Sequence, residues 1–388
     1  MPAVMRPGEP ASETAGGPEG PFVFPGLSVI LCSYNGAPGV DRCLRALESQ
    51  TVRSALEVIV VDDGSVDGTA KVGQAHSVTV VRHRQNLGLA AARNSGLRTA
   101  TASVVAFLDD DCEPEPQWAE QLLAGYQDEV VGAGGPVIAQ APRGFMCGYL
   151  MRNNPIKPQE LDLAKSNRIL HRFGLYLKRQ WTRQDQYAHR DVYSLAGANM
   201  SFRRRALIDA GGFDERFRFG AEDLDICLRI RQVFPSQRLT LLPQARVIHH
   251  FVPSLHDTMR RSRAYGYGLA GIYRKWPSVP PVIFPAPLAV MTVLVLSVEV
   301  PQLLVLALVI PHFFTPRGAR DALAGRSRSG LLDAYVQVAQ EAWGNLGFLE
   351  GLWRFRRLPP GPSAALAEAP GPDCGHDLVW HEGADVVR

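Results

Sequence analysis

The chain has 388 residues, of which 46% are hydrophobic and 20% are charged. This length suffices for one large α/β domain with appendages or for two modest domains, and the apolar fraction allows a sizeable buried core. The formal net charge of +3 at pH 7 is too small for a general nucleic-acid-binding protein, so no nucleic-acid partner is expected.

The cysteines and the N-terminus bear on the cellular compartment. The cysteines are Cys32, Cys43, Cys112, Cys147, Cys227 and Cys374. They form no CxxC pair and several lie in apolar runs, which indicates buried thiols in a reducing compartment rather than disulfides or a zinc site. Because the N-terminus lacks the charged start and apolar run of a signal peptide, we expect a cytoplasmic protein.

The first half of the chain alternates strands and helices. Residues 1–26 are rich in Gly, Pro, Glu and Ala without an apolar period, and they are predicted to form a disordered tail. The next predicted elements are strands at 27–31, 57–61, 78–82 and 103–108 and helices at 40–50, 69–75 and 89–100. Strands separated by helices imply right-handed crossovers and a mostly parallel sheet. In such sheets, ligands bind beyond the carboxyl ends of the strands.

The pattern weakens in the middle of the chain and then returns. Loops and short helices are expected at 144–190, followed by a strand at 193–202, helices at 205–210 and 222–231, and a strand at 246–251. We therefore predict one α/β domain at 27–255, a helical and apolar region at 256–358, and a flexible Pro-rich tail at 359–388.

Residues 281–314 are strongly apolar, with only Glu299 charged and with several prolines. Their uninterrupted pieces are shorter than the roughly 20 residues that span a bilayer. The flanking basic residues are Arg260, Arg261, Arg263, Arg274, Lys275, Arg317 and Arg320. This layout suits peripheral contact with an anionic membrane, which would place the protein at the inner face of the cell membrane. A buried helical hairpin or a dimer interface would have the same composition.

The first acidic cluster follows the second predicted strand. Asp62 and Asp63 stand at the strand end, and Gly64 permits a tight turn beside a ligand. Carboxylates in this position can accept hydrogen bonds from a nucleotide base or a ribose. The alternative is a turn in which Ser65 or Asp67 only caps the next helix.

The second cluster, Asp109 to Asp111, follows the fourth predicted strand. Three consecutive carboxylates repel each other unless a cation or solvent intervenes. Mg²⁺ and Mn²⁺ take oxygen ligands and commonly keep one or two protein carboxylates, with substrate phosphates at other positions. A metal here would neutralise charge that builds on a departing diphosphate. The alternative is a solvated acidic turn.

The third cluster opens a predicted helix with Glu222 and Asp223. The helix dipole favours negative charge there, and so it favours the ionised carboxylate that a general base requires. The alternative is simple helix capping.

Two weaker features follow strands or lie beside them. The small residues around Gly197 and Asn199 would let a sugar approach the backbone. One of the adjacent histidines His249 and His250, here taken as His250, is a candidate third metal ligand through a ring nitrogen. An ordinary core or surface histidine is the alternative.

Taken together, these segments resemble glycosyltransferase family 2, which has the α/β fold called GT-A. The matching motifs, in chain order, are 33–35 (SYN), 62–65 (DDGS), 86–88 (NLG), 92–96 (ARNSG), 109–111 (DDD), 197–199 (GAN), 212–215 (GFDE) and 222–225 (EDLD). Each motif is weak alone, but their order and spacing match the family from the first predicted strand to about Phe251. The ordered set favours the functional interpretation of the acidic clusters over simple turns and caps.

The resemblance implies a nucleotide-sugar donor, with UDP-, GDP- and dTDP-sugars as the candidates. Asp63 would hold the base, with Ser33 and Tyr34 lining the same pocket, and Asp110 would contact the ribose. The further candidate substrate-binding residues within the matching motifs are Asn35, Asp62, Arg93, Asn94, Gly197 and Asn199.

The resemblance also implies the catalytic and metal residues. Asp111 would carry a divalent cation, Mn²⁺ or Mg²⁺, bound to the donor diphosphate, and Asp109 would complete the D-x-D pattern; His250 is the candidate further ligand. Asp223 would deprotonate the acceptor hydroxyl, so that direct attack inverts the anomeric carbon. Glu222 would support that carboxylate or contact the acceptor.

The expected function is therefore inverting, metal-dependent transfer of one sugar to an acceptor hydroxyl, in glycan, glycolipid or cell-envelope polysaccharide biosynthesis. Transfer of a single sugar, by a non-processive family member of the bacterial type, is expected because the Q-x-x-R-W motif and multiple membrane spans of processive members such as cellulose and chitin synthases are missing from the sequence. The acceptor is unknown, and a lipid-linked acceptor or a small secondary metabolite would fit. The other alternative is a membrane-associated scaffold with an inactive transferase domain, although every acidic position is occupied.

Overall fold

The structure is a computed structural model that describes residues 26–140, 144–166, 168–182, 188–218, 220–277, 279, 284–360 and 384–387. Nearly all of the predicted N-terminal tail and most of the predicted C-terminal tail lie outside these residues. The strands are β1 (Leu27–Ser33), β2 (Leu56–Asp62), β3 (Thr79–His83), β4 (Val104–Asp109), β5 (Cys112–Pro114), β6 (Val130–Gly134), β7 (Val137–Ala139), β8 (Arg190–Asp191), β9 (Asn199–Arg203), β10 (Arg238–Leu241), β11 (Val247–His249) and β12 (Ala384–Val387).

The helices fall into two groups along the chain. Those among the strands are α1 (Ala37–Glu48), α2 (Thr69–Ala75), α3 (Leu89–Thr99), α4 (Trp118–Ala124), α5 (Phe145–Arg152), α6 (Ile169–Trp181), α7 (Arg204–Asp209) and α8 (Glu222–Val233). Those after β11 are α9 (Leu255–Lys275), α10 (Pro285–Leu296), α11 (Leu304–Phe314), α12 (Pro316–Leu323) and α13 (Asp333–Arg354).

The main sheet has nine strands in the order β12-β3-β2-β1-β4-β9-β6-β10-β8. Strands β3, β2, β1 and β4 pair in parallel, and β6 and β10 run in the same direction beyond the antiparallel β9. This arrangement confirms the prediction of a mostly parallel α/β sheet. Strands β5, β11 and β7 form a second, small sheet that carries the histidine pair.

Both faces of the main sheet are covered by helices. Strand β1 places Leu27, Val29 and Leu31 in one core cluster and Ile30 and Cys32 in the other, and all five side chains are buried. Because both faces are apolar, the strand is a continuous hydrophobic run rather than an alternating one. Each fully buried Leu, Ile or Val side chain stabilises the fold by about 1.5–3 kcal/mol.

Helix α3 lies very close to the sheet because its sequence is rich in small residues. A Cβ at Gly96 would collide with the side chain of Ile30, so this position has no room for a larger residue. Ala90, Ala92 and Leu97 of the same helix are buried in the core. The close contact fixes the helix that carries Arg93 beneath the carboxyl edge of the sheet.

The structure differs from the sequence-based prediction in the middle of the chain. A 13-residue helix, α6, occupies part of the region predicted as loops and short helices. The strand predicted at 193–202 begins only at Asn199, because Tyr193 and Ser194 pair instead with the backbone of Gln159. Tertiary hydrogen bonds thus override the local strand pattern there.

Helices α9 and α13 pack against each other through glycines. A Cβ at Gly266 would collide with the carbonyl of Gly344, and one at Gly347 would collide with the carbonyl of Arg263. These contacts require the two backbones to approach closely, so the C-terminal helices form one packed unit.

A buried charged cluster joins α9 to α8. The Nζ of Lys275 donates to Asp225 Oδ2 at 2.9 Å and to Asp214 Oδ2 at 2.6 Å, and Trp276 Nε1 donates to Asp225 Oδ1 at 2.8 Å. Asp225 is fully buried and Lys275 is nearly so. The cluster therefore anchors the C-terminal helices to the sheet-bearing part of the chain.

We expect Lys275→Ala to destabilise the protein by about 1.5–3 kcal/mol, because it removes a charge-assisted hydrogen bond from the buried Asp225, which keeps Arg229 as its other cation. Urea unfolding followed by circular dichroism measures this loss. Lys71→Ala on α2, at an exposed position, is the matched control and should leave the free energy of unfolding nearly unchanged. Equal stability of the two variants would contradict the anchoring role.

The apolar helices α10 and α11 expose many large hydrophobic side chains, among them Leu288, Met291, Val295, Val305, Leu308 and Val309. In the described part of the chain, no single helix is both long and apolar enough to cross a membrane; the pair Pro301–Phe314 and Pro316–Leu323 passes this test together but is bent by 87°. Several of the predicted flanking cations are engaged elsewhere, because Lys275 is buried, Arg260 and Arg261 bind Asp257, and Arg263 binds Glu350.

Candidate active site

The second acidic cluster lies at the carboxyl edge of two neighbouring parallel strands. Strand β1 ends at Ser33 and β4 ends at Asp109, so the loops that follow them meet. The Oγ of Ser33 donates to Asp110 Oδ2, and burial raises the pKa of Asp110 to about 6 although this hydrogen bond opposes the rise. A Cβ at Gly39 would collide with the Asp110 carbonyl, so α1 packs directly on the acidic loop. Tyr34 beside it is 54% exposed and available to a ligand.

Two residues predicted to bind substrate tie the neighbouring loops together. Asp62 is fully buried, and its Oδ1 accepts from the backbone N–H of Ser65 at 2.8 Å. Asn35 has a φ of +56°, and its Oδ1 accepts from the N–H of Val66 at 2.9 Å. Both side chains thus help to hold the turns after β1 and β2, and their contact with substrate stays a prediction.

Asp63 is also largely engaged within the protein. Its Oδ1 contacts His83 Nδ1 at 2.7 Å and accepts from the N–H of Leu87 at 2.8 Å, while its Oδ2 accepts from the N–H of Gly88 at 2.8 Å. Only 4% of the residue is exposed. The carboxylate therefore shapes the loop that forms the nucleotide pocket, and its contact with a base stays a prediction.

Asp111, the last carboxylate of the second acidic cluster, faces a buried histidine. His249 Nε2 lies 3.0 Å from Asp111 Oδ1, yet neither ring nitrogen of His249 nor this oxygen has a hydrogen-bond partner among the described residues. Burial lowers the pKa of His249 to about 3, so its imidazole is neutral and can act as a ligand. Burial, together with repulsion from Asp109 and Asp110, raises the pKa of Asp111 to about 8.

These unpartnered atoms fit a divalent cation. Single ligand atoms of Asp111, Cys112 and His249 all lie within 4.8 Å of one another. The Cys112 thiol donates to the Ala198 carbonyl at 3.4 Å, and burial holds its pKa well above the usual range, so it is a protonated thiol rather than a thiolate ligand. A carboxylate oxygen and an imidazole nitrogen remain, a donor set that suits Mn²⁺ or Mg²⁺ completed by phosphate oxygens.

The other histidine of the pair points elsewhere, which corrects the choice of His250. Its Nε2 contacts Glu113 Oε2 at 2.8 Å, and its backbone N–H donates to the Asp111 carbonyl at 2.8 Å. Successive side chains alternate across an extended chain, so only one of two adjacent histidines can face the acidic loop. The structure places His249 there.

Helix α9 adds a cation that the sequence analysis did not assign to this cluster. Arg261 Nη2 lies 3.6 Å from Asp111 Oδ2, and its Nε donates to Asp257 Oδ2 at 2.7 Å. The guanidinium also lies 5.9 Å from the ring centroid of Phe251. It is therefore held beside the carboxylates, where it can contact a phosphate group.

Arg93 connects the second and third acidic clusters. It is 2% exposed, and it donates to Glu222 Oε1 at 2.5 Å, to the Gly197 carbonyl at 3.1 Å and to Asp109 Oδ1 at 3.3 Å. All three interactions are with the protein, and Arg93 also lines the cavity, so its contact with substrate stays a prediction. Arg93 is a positioning residue that fixes the distance between the two clusters.

Asp223 lies at the start of α8 with both carboxylate oxygens held by backbone donors. Oδ2 accepts from the N–H of Gly197 at 2.9 Å, and Oδ1 accepts from the N–H of Leu224 at 2.7 Å. A Cβ at Gly197 would lie 3.2 Å from Asp223 Oδ2 and 3.1 Å from Arg93 Nη2. Glycine is therefore needed at this position for the carboxylate and the guanidinium to share the site, and its role is the close approach of protein groups.

The two predicted asparagine contacts are structural. Asn199 is 1% exposed, accepts from Trp118 Nε1 at 2.9 Å and donates to the Ala245 carbonyl at 2.8 Å. Asn94 donates to the Phe213 carbonyl at 2.9 Å and accepts from the Phe213 N–H at 2.7 Å. Both amides are consumed by buried hydrogen bonds, which corrects their prediction as substrate-binding residues.

A cavity of about 390 Å³ opens beside these groups. Arg93, Asp109, Gly197, Glu222 and Asp223 line one part of it. The opposite part is formed by α6, α9, α12 and α13, whose lining residues include Tyr176, Arg179, Tyr265, Arg317 and Glu341. The C-terminal helices therefore complete a site that the sheet edge leaves open.

Comparison with known proteins finds two family models that match overlapping parts of the chain. The family model described as glycosyl transferase family 2 matches residues 28–211, and the model described as glycosyl transferase family group 2 matches residues 156–315. Together they include both the acidic loop after β4 and the start of α8. These matches support a glycosyltransferase of family 2. The six codirectional strands of the main sheet give the chain a GT-A-like α/β fold.

Among family 2 relatives, the pre-mycofactocin glycosyltransferase of Mycobacterium tuberculosis is 31% identical over 259 residues, which cover 65% of this chain and 48% of the relative. The validoxylamine A glucosyltransferase of Streptomyces hygroscopicus is 30% identical over 223 residues, which cover 53% and 51%. The chain thus spans about half the length of these relatives. A solved mannosyltransferase of Pyrobaculum calidifontis has a TM-score of 0.49 at 18% identity, with 84% of this chain and 87% of that chain covered.

Sequence analysis did not assign a role in the site to Arg261, His83 or Tyr265, nor to the residues of α6 and α13 that line the cavity. Arg261 stands in a basic run that composition could assign only to a membrane or a diphosphate. His83 and Glu341 are isolated polar residues in apolar surroundings, and such positions are more often structural than functional. A helical period alone cannot show which sheet edge a distant helix covers.

Proposed function

We propose that the protein transfers a sugar from a nucleotide-diphosphate donor to an acceptor hydroxyl. The observation that carries this proposal is one cavity that both Asp109 and Asp223 line. Arg93 donates hydrogen bonds to Asp109, and also to Glu222 and the Gly197 carbonyl beside Asp223. Arg93 thereby fixes the separation between Asp109, which would hold the donor diphosphate through a metal, and Asp223, which can accept a proton. This arrangement brings the two reactants together in a defined geometry.

The donor end of the site lies at the loops after β1 and β4. Tyr34 is exposed for stacking on a base, and Ser33 and Asp110 present an oxygen-rich surface for a ribose. Asp111 and His249, with Asp109 nearby, would hold Mn²⁺ or Mg²⁺. When bound, the cation would supply charge stabilisation for the departing diphosphate. Arg261 would contact the same phosphates from α9.

The acceptor end lies at the start of α8. Asp223 accepts the proton of the acceptor hydroxyl while backbone N–H groups hold its two oxygens in place. Direct attack by that hydroxyl then displaces the diphosphate and inverts the anomeric carbon. Glu222 and Arg93 orient the base, and the enclosed cavity limits access of water to the reacting centre. One sugar is transferred in each encounter.

The exposed apolar face of α10 and α11 supports peripheral contact with a membrane, at the inner face of the cell membrane. Such contact would suit an acceptor in glycan, glycolipid or envelope polysaccharide synthesis. Sedimentation with vesicles of anionic lipid tests it: Leu288→Ser with Val305→Ser should reduce the bound fraction, whereas Val66→Ser, at another exposed apolar position, should not.

Nucleotide diphosphate release tests the proposed activity. The purified protein is incubated with a panel of UDP-, GDP- and dTDP-sugars and Mn²⁺ or Mg²⁺, with and without chelator. Slow hydrolysis of one donor that the chelator abolishes supports the proposal and identifies the donor. Failure of every nucleotide to bind in the presence of metal, measured by calorimetry, would contradict it.

The pH dependence of turnover should reflect the buried carboxylates at the start of α8. Burial raises the pKa of Glu222 to about 7 and also raises that of Asp223, while Arg93 opposes both shifts and Asp109 adds to that of Asp223. A protonated Asp223 cannot accept the acceptor proton, so kcat/KM should fall as the pH drops through a pKa that lies above the ordinary Asp value of about 4.

Substitution of Glu222 tests this assignment of the profile. Glu222→Gln removes a negative neighbour and leaves Arg93 less neutralised, and both changes lower the pKa of Asp223. The acid limb of the kcat/KM profile should therefore move to lower pH. A midpoint near the ordinary Asp value of about 4 in the unsubstituted protein would show that burial does not tune the base.

A further inference from the structure

Three cationic side chains line the cavity that contains the proposed base. Lys157 follows α5, Arg179 lies in α6, and Arg317 lies in α12. The same cavity is lined by Asp109 and Asp223. The residues proposed above to bind the nucleotide, such as Tyr34 and Asp110, do not line this cavity. The cationic cluster, defined as Lys157, Arg179 and Arg317, therefore belongs to the acceptor side of the site.

Two of the three cations of the cluster have no counter-charge in contact with them in the described part of the chain. Within the described residues, Lys157 and Arg179 form no hydrogen bond or ion pair. The carboxylate that attracts Arg179 from a distance, Glu160, is itself paired with Arg190 at 2.8 Å. Burial and repulsion from Arg317 and Arg179 lower the pKa of Lys157 to about 8, which shows that the three charges are close together.

The one buried carboxyl in this part of the cavity does not neutralise the cluster. Glu341 accepts from the hydroxyl of Tyr176 at 2.9 Å, from Gln337 at 3.1 Å and from Gln180 at 3.3 Å, all of which are neutral donors. Its burial raises its pKa to about 7, so it carries only part of a negative charge near neutral pH. The described residues show no ion pair between it and a lysine or arginine.

Like charges that converge on a cavity raise the free energy of the empty site unless an anion enters it. Arginine forks donate paired hydrogen bonds to phosphate oxygens, and a lysine adds a compact charge with three donors. The Nη2 of Arg317 is held by the Thr182 carbonyl at 2.5 Å, which fixes the orientation of its guanidinium. A phosphate group, with several acceptor oxygens and more than one negative charge, matches this donor set better than a single carboxylate.

We propose that the cationic cluster binds a phosphate group of the acceptor, so that the acceptor is a phosphorylated molecule whose hydroxyl is delivered to Asp223. This inference rests on the proposed transferase function and specifies its acceptor class. The phosphate could belong to a lipid-linked acceptor or to a soluble sugar phosphate. Phe284, which immediately precedes the apolar helix α10, lines the same cavity and offers an apolar exit for a lipid chain.

Calorimetric titration of the full chain with inorganic phosphate and with decyl phosphate tests the proposal, in chelator to suppress metal-dependent diphosphate binding. Saturable binding is expected. Lys157→Gln and Arg179→Gln should each weaken it roughly tenfold, because each removes a charge-assisted hydrogen bond. Lys157→Arg should retain most of it. Lys178→Gln is the matched control, because Lys178 neighbours Arg179 on α6 but points away to pair with Asp162, and it should bind like the unsubstituted protein.

The two probes separate the two sources of phosphate. Much tighter binding of decyl phosphate, lost in the same variants, supports a lipid-linked acceptor, whereas equal binding of both probes supports a soluble phosphorylated acceptor. Absence of saturable binding of either probe, or equal binding by the Lys157→Gln, Arg179→Gln and Lys178→Gln variants, would overturn the proposal. Metal-dependent nucleotide binding by the same protein is measured separately. Loss of nucleotide binding would contradict the transferase function. Retained nucleotide binding without phosphate binding would contradict only the proposed role of the cationic cluster.

Discussion

Asp223→Asn should lower the rate of sugar transfer by roughly 100-fold to 10,000-fold, because an amide cannot accept the proton of the acceptor hydroxyl. The substitution preserves shape, and the single amide oxygen can still accept from one of the two backbone N–H groups, of Gly197 or Leu224, that hold the carboxylate. Donor binding should persist, since Asp223 lies apart from the nucleotide pocket. Initial rates with a phosphorylated or lipid-linked acceptor, together with calorimetric nucleotide binding, measure the two effects separately.

Asp209→Asn is the control, because it makes the same Asp-to-Asn change at a carboxylate that is not the proposed general base. Asp209 lies at the exposed end of α7, where it pairs only with Arg205 at 2.8 Å. Its substitution should leave the rate within about twofold, as for most exposed positions. Full transferase activity of Asp223→Asn would remove the base assignment, whereas full function of this variant in the cell without transferase activity would favour the alternative of a scaffold with an inactive transferase domain.

His249→Ala should weaken Mn²⁺ binding by about 100-fold or more, whereas His250→Ala should leave it nearly unchanged. The expectation follows from the 3.0 Å approach of His249 Nε2 to Asp111 Oδ1 and from the engagement of His250 with Glu113. Even outer-shell partners of a metal commonly contribute 10-fold to 100-fold in affinity, so loss of a direct ligand should cost at least as much. Calorimetric titration with Mn²⁺ in the presence of nucleotide diphosphate measures the difference.

The paired histidine variants also separate ligand loss from unfolding. His249 stacks on Phe251 with ring centroids 4.1 Å apart, so its removal also costs some packing. Thermal unfolding of both variants shows whether the fold persists. If His250→Ala loses the metal and His249→Ala retains it, the placement of the two side chains in this structure is incorrect for the metal-bound protein.

The C-terminal helices have a direct part in the site. Arg261 of α9 approaches Asp111, and Glu341 of α13 and Arg317 of α12 line the cavity that contains Asp223. Lys275 secures α9 to the buried Asp225. The region predicted as a membrane-associating appendage therefore also lines the cavity of the proposed site.

Much of the fold was predictable because local sequence and tertiary environment agree there. The runs that form β1, β2 and β4 are apolar on both faces and end at polar residues, so a parallel sheet with a ligand edge followed from periodicity alone. The ordered motifs identified the family, and they placed the acidic clusters of Asp109 and Asp223 in one site. Spacing along the chain suffices for such conclusions because each strand end is fixed by its own residues.

Roles that depend on where a side chain points required the tertiary structure. Asn94, Asn199, Asp62 and Arg93 lie within the matching motifs, but their polar atoms bond buried protein groups, and sequence cannot distinguish such a bond from a bond to substrate. For the same reason, sequence could not show that His249 rather than the adjacent His250 faces Asp111. Motifs therefore determined which segments form the site. The packing of distant segments decided which atoms face the cavity, because burial and hydrogen bonding are set by contacts between residues more than a hundred positions apart, such as Arg93 and Glu222.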